Sequence, residues 1–166
     1  MKSTKLPLWI AGGWWLVAAL VMLSSGIAQA QEIEGTWRLV MRKFQDGTTQ
    51  TPPAIQGVET WHNGLGSVIV DGHTPEGKLW SFSVILNYKL SATEWTETVL
   101  LSVFDHGDGK LPDYDVTGAS KTSPVTHEGP RISFKPPFAP VSYAFEGDKQ
   151  TATLEGVFVD YFERVR

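Results

Sequence analysis

The sequence predicts an all-β protein, an antiparallel meander closed into a small barrel of about eight strands. Three observations predict it. Beyond residue 30, apolar and polar residues alternate with period two in one run after another, the pattern of half-buried strands. These runs are short and punctuated by turn chemistry such as Asp46-Gly47 and Asn63-Gly64. The chain also has no cysteine, so no disulfide can staple it, and closing the sheet on itself removes the exposed edges that invite aggregation.

The first thirty residues carry a different pattern. Lys2 and Lys5 precede an apolar stretch from Leu6 to Leu23, and Ala28-Gln29-Ala30 supplies a small-x-small site. This order predicts a secretory signal peptide over residues 1–30, cut after Ala30, with an uncleaved N-terminal anchor as the alternative. No cysteine lies near the site, which excludes a lipoprotein. The expected mature chain, residues 31–166, is long enough for one domain with its own core. It retains 12 basic and 18 acidic residues, a net charge of −6, and its bases are scattered rather than gathered. A nucleic-acid groove is not expected. An exported chain without disulfides suits a bacterial periplasmic or secreted protein, with no stable membrane span after the cut.

The elements follow in order. Thr36 to Phe44 places Trp37, Leu39 and Met41 on one face and Arg38 and Arg42 on the other. Asp46-Gly47 and Pro52-Pro53 end that strand. "GVETWH" and "LGSVIV" form a hairpin about Asn63-Gly64. Trp80, Phe82, Val84, Leu86 and Tyr88 then share one face, and Glu94 to Phe104 repeats the theme with both faces turning apolar toward its end. Residues 105–130 read as a long turn-rich tract with room for one hidden strand. "RISFK", "VSYAFEG", "TATLEG" and "VFVDYFERV" close the chain.

A first strand opening Gly35-Thr36-Trp37, the hairpin meander and the final "YFERV" strand resemble the bacterial lipocalin-like domains of the calycin group. The resemblance extends in layout over residues 33–165 and in motif detail only at the two ends. It implies that Trp37 closes the base of the barrel and that a basic residue of the last strand, here Arg164, packs across it. Gly35 would let the backbone pass close to that pair, and an arginine can stack on an indole while donating to strand-end carbonyls. An ordinary core tryptophan with a solvated arginine is the alternative.

The mature region contains four tryptophans, four tyrosines and eight phenylalanines. Trp61, Trp80, Phe82, Trp95, Tyr143 and Phe145 are the candidate walls of a ligand cup, and they are equally suited to fill a core. On the last strand Phe158, Asp160, Phe162 and Arg164 share a face. If Arg164 turns toward Trp37, Asp160 turns inward too and needs a partner, unless a bulge shifts the phase.

Catalytic and metal motifs are sparse. His62, His73, His106 and His127 form no zinc-binding spacing. His62 fits a surface hairpin or a barrel mouth. Asp105, Asp108, Asp113 and Asp115 cluster without an EF-hand pattern and read as a solvated loop. Glu94 and Glu97 fall on opposite strand faces, and no nucleophile elbow is present. No cofactor is expected. The resemblance implies an exported, non-catalytic protein binding a small hydrophobic molecule in an aromatic-lined cavity. Two alternatives stand beside it: a barrel isomerase or cyclase using an interior polar group such as His62 or Asp160, and an envelope structural or interaction module with a filled core. Oligomeric state is open.

Overall fold

The computed structural model of the protein describes residues 32–74 and 76–166. The leader expected over residues 1–30 lies outside them. Twelve strands occur among the described residues: β1 (Gly35–Phe44), β2 (Thr49–Gln50), β3 (Ile55–His62), β4 (Leu65–His73), β5 (Leu79–Leu90), β6 (Glu94–Asp105), β7 (Asp113–Asp115), β8 (Ser120–Glu128), β9 (Arg131–Phe134), β10 (Ser142–Glu146), β11 (Lys149–Leu154) and β12 (Phe158–Arg164). Every pairing is antiparallel. Around the wall the order is β12-β11-β10-β9-β8-β6-β5-β4-β3-β1, and β1 pairs with β12 to close the ring. The fold is a closed antiparallel barrel.

The expected number of about eight strands is corrected by this ring, which holds ten, with β2 on β1 and β7 on β6 as two more outside it. The ring strand that the sequence leaves unplaced is β8, the one hidden strand for which the turn-rich tract of residues 105–130 has room. Its sequence "SKTSPVTHE" is polar on both faces, and only Ser123 and Val125 are even half-buried. A strand whose neighbours supply all of its order has no apolar alternation to betray it.

Local chemistry fixes the tight connections. Asn63 and Gly64 both adopt positive φ, 49° and 80°, as a type I′ hairpin between β3 and β4 requires. Two bulges then set which side chains face inward. On β1, Leu39 pairs with Phe162 and Met41 with Tyr161, so Val40 is an extra residue. Beyond it the alternation inverts, and Arg42 is buried while Met41 is only half-buried. The regular alternation expected for β1, with Met41 facing Trp37's side and Arg42 opposite, is corrected accordingly. On β6, Val99 pairs with Leu86 and Leu101 with Ile85, leaving Leu100 extra. Trp95, Glu97 and Val99 point inward before the bulge, and Ser102 and Phe104 line the interior after it.

One end of the barrel is filled by rings. Trp61 meets Tyr88, Trp95 and Tyr143 edge-on, with centroids 5.6, 5.6 and 6.1 Å apart. Trp95 stacks on Phe134 at 4.3 Å and on Tyr88 at 5.0 Å. Phe145 carries the cluster to Trp37 at 5.4 Å. Such offset and edge-on pairs add to the burial energy of large rings. Gly66 is required here, because a Cβ would run into the Trp61 ring.

Candidate functional site

The interior of the barrel beyond this aromatic floor is a cavity of ≈ 640 Å³. Its wall is mostly apolar, from Val68 and Val70 on β4 and Trp80, Phe82, Val84 and Leu86 on β5. Phe104, Phe158 and Phe162 continue it, and the β9–β10 connection contributes Pro136, Phe138 and Val141. That connection is tied inward, since the Phe138 N–H donates to Glu97 Oε1 at 3.2 Å. Lys121 sits over the Phe138 ring at 4.8 Å.

Polar groups enter at defined points. Glu59 of β3 is fully buried, receives a hydrogen bond from Gln150 Nε2 and another from the Tyr143 hydroxyl at 3.3 Å. Burial pushes its carboxyl from 4.5 up to about 7, opposed by donors that include Gln150 and Tyr143 and by the nearby Trp61 N–H. The Trp61 indole N–H nevertheless falls short of hydrogen-bonding geometry and is left without an acceptor. Burial, and then the charge of Glu59, hold the Tyr143 hydroxyl well above the usual tyrosine range. Glu97 accepts from the Trp95 N–H at 2.8 Å, and burial raises its carboxyl as well.

Asp160 faces inward and finds its partner in Arg42, directly opposite across the β1–β12 ladder. The guanidinium binds both carboxylate oxygens, Nε at 2.6 Å and Nη2 at 2.7 Å. It also lies 3.7 Å above the Phe158 ring and 5.3 Å from Trp80. Burial lifts the Asp160 carboxyl while Arg42 pulls it down. This pair exists because the Val40 bulge turns Arg42 inward, which leaves Arg164 free for another task.

At the filled end, the Arg164 guanidinium carbon stands 4.2 Å from the Trp37 ring. Arg164 donates to the Glu34 carbonyl and, at 2.7 Å, to the Glu32 carbonyl, while the Trp37 N–H donates to the Ile33 carbonyl at 2.9 Å. Gly35 has φ 130°, and a Cβ there would come 2.7 Å from Arg164 Nη1. The geometry joins both ends of the barrel strand order at one indole.

Of the six aromatic residues expected at a ligand wall, Trp61, Trp80, Phe82 and Tyr143 line the cavity. Trp95 and Phe145 lie in the packed floor, fully buried against other rings. His62 is exposed at the hairpin, 3.7 Å from Glu34, and takes no part in the cavity. His106 is an exposed partner of Asp113 at 2.9 Å. Among the described residues no group of three or more histidines and acids is arranged to hold a metal ion.

Glu59, Arg42 and the inward role of Glu97 escaped the sequence reading. Glu59 had a signal, since it stands two residues before Trp61 on one strand and must share its face. Arg42 had none, because a bulge leaves no local mark in the alternation. Among the described residues no helix is long and apolar enough to cross a membrane. The chain matches no known protein family, curated protein or solved structure.

Proposed function

We propose that this protein is a lipocalin-like carrier that holds a small apolar molecule inside its barrel and performs no chemistry on it. The observation that carries this is the cavity of ≈ 640 Å³ above a floor of interlocked aromatic rings. A ligand burying about 200 Å² of apolar surface there gains about 5 kcal/mol, at about 25 cal/mol per Å². That volume argues against the filled-core module. The leader-like residues 1–30 support export, to the periplasm or beyond the cell.

Native mass spectrometry of the protein purified from its own cells tests the proposal. A retained small molecule that leaves on collisional activation is the expected result. An apo mass together with no uptake of an apolar fluorescent probe would overturn it.

A second function, a barrel isomerase or cyclase, is favoured by one observation, the buried Glu59 with its carboxyl raised to about 7 beside the cavity. Against it, both Glu59 oxygens already accept hydrogen bonds from Gln150 and Tyr143. Conversion of the co-purified molecule by wild-type protein, lost in Glu59→Gln, would decide for the enzyme.

A further inference from the structure

Most of the polar groups around the cavity have nothing to offer a guest. Glu59 and Glu97 have both carboxylate oxygens taken, the first by Gln150 and Tyr143, the second by Trp95 and Phe138. The Trp61 indole nitrogen is sealed off. Asp160 spends both of its oxygens on Arg42.

Arg42 differs. It lines the cavity and is only 7% exposed, yet of its three guanidinium nitrogens only Nε and Nη2 are bonded, both to Asp160. Nη1 donates to no described residue and, unlike the Trp61 nitrogen, is not sealed off. The guanidinium is also held in place, its carbon 3.7 Å over Phe158 and 5.3 Å from Trp80, two rings of the same cavity wall. A donor fixed in this way loses little freedom when an acceptor arrives.

An arginine has donors and no acceptor, so its complement is an acceptor atom. Charge narrows the choice further. Asp160 already neutralises Arg42, and no second cation among the described residues lines the cavity, whereas Glu59, Glu97 and Asp115 do. A carboxylate guest would lose its hydration with no unspent positive charge to receive it, among acids of its own sign. A carbonyl oxygen accepts from Nη1 and brings no charge.

Building on the carrier function proposed above, we infer that the cavity takes an uncharged apolar molecule with a carbonyl head, a ketone, ester or amide whose oxygen accepts from Arg42 Nη1, in preference to carboxylates of the same hydrocarbon body. The apolar walls supply affinity and the guanidinium supplies the choice of head group. By turning Arg42 inward, the Val40 bulge provides the cavity with that donor.

Decan-2-one, decanoate and decylamine, each titrated into the purified protein by isothermal calorimetry at pH 7.5, test this. Decan-2-one is expected to bind tighter than decanoate by about tenfold or more, the effect of desolvating a charge that gains no counter-charge. In the charge-free double variant Arg42→Met with Asp160→Leu, decan-2-one should bind about tenfold more weakly, as for the loss of a hydrogen bond from a charged donor. Infrared spectra of isotope-labelled decan-2-one under protein excess separate that bond from a mere change of shape. The bound carbonyl stretch should lie below its position in hexane for the wild-type protein and close to it for the double variant. The same stretch in both proteins overturns the seat on Arg42. Equal or tighter binding of decanoate to the wild-type protein overturns the choice of head group and leaves the carrier function standing. Tighter binding of decylamine than of decan-2-one overturns it too, since the acids would then govern the site. Failure of all three to bind counts against the carrier function itself. If circular dichroism shows the double variant unfolded, the wild-type ranking and the wild-type carbonyl stretch decide alone.

Discussion

Glu59 is the residue whose charge state the fold controls most directly. Its carboxyl ionises at 4.5 when exposed and at about 7 when buried here. Below pH 4.5 both the folded and the unfolded chain hold the proton, and the full contribution to stability is present. Between 4.5 and 7 the unfolded chain releases it while the folded chain keeps it, so stability falls as pH rises, by about 3 kcal/mol in all. Glu97 and Asp160 are raised as well and act in the same direction. Urea midpoints measured at pH 5 and pH 8 should show this loss in the wild-type protein and a smaller one in Glu59→Gln. An equal loss in both would remove Glu59 as its source. Gly35 is the other residue whose identity is forced, by a positive φ and by the Arg164 guanidinium that a Cβ would meet. Gly35→Ala should cost about 1–3 kcal/mol, read as a lowered thermal midpoint. Gly35→Ala with Arg164→Ala should recover only part of that, because the backbone strain remains.

At the level of elements, the bulge in β1 does more than bend a strand. By inserting Val40 it brings Arg42 across from Asp160 and frees Arg164 to cover Trp37. Without the shift Asp160 would be a buried acid with no cation opposite it. Asp160→Ala, which leaves Arg42 buried and unpaired, should therefore destabilise the barrel by about 3–5 kcal/mol. The double variant Arg42→Met with Asp160→Leu, which removes both charges, should regain most of it in the same urea titration. If the double variant is as unstable as the single one, packing rather than charge governs this position. The bulge in β6 works alike, taking the inward phase from Glu97 and Val99 to Ser102 and Phe104.

Across the whole molecule, ring closure lets one surface serve as container. The ten ring strands each have two neighbours, so no strand of the ring is left as a free edge along its whole length. The filled end supplies rigidity and the remaining volume supplies capacity. A ligand bound only by the folded barrel must stabilise it by mass action. Decan-2-one at about one hundred times its dissociation constant should add about 2.7 kcal/mol, a rise in thermal midpoint on the order of 10 °C. Decanoate at the same concentration should produce much less. A midpoint unmoved by decan-2-one, decanoate and decylamine would argue for an interior that takes no such guest.

The amino-acid sequence by itself determined the all-β class, the Asn63-Gly64 hairpin and the pairs of residues that share a face on regular strands such as β5. Those features are local: period two and a left-handed turn are set by neighbours along the chain. Only the tertiary structure decided the ring of ten, because β8 is polar on both faces and owes its order to β6 and β9. It alone decided the interior charges as well. Arg42 and Asp160 are 118 residues apart, and a single extra residue in one ladder determines whether they meet. Glu59 was half legible, its direction fixed by Trp61 two residues on, its partners Tyr143 and Gln150 known only once the barrel closes. The alternation of a strand records which side a residue takes, whereas bulges and closure depend on hydrogen bonds between distant strands, which leave no period in the sequence.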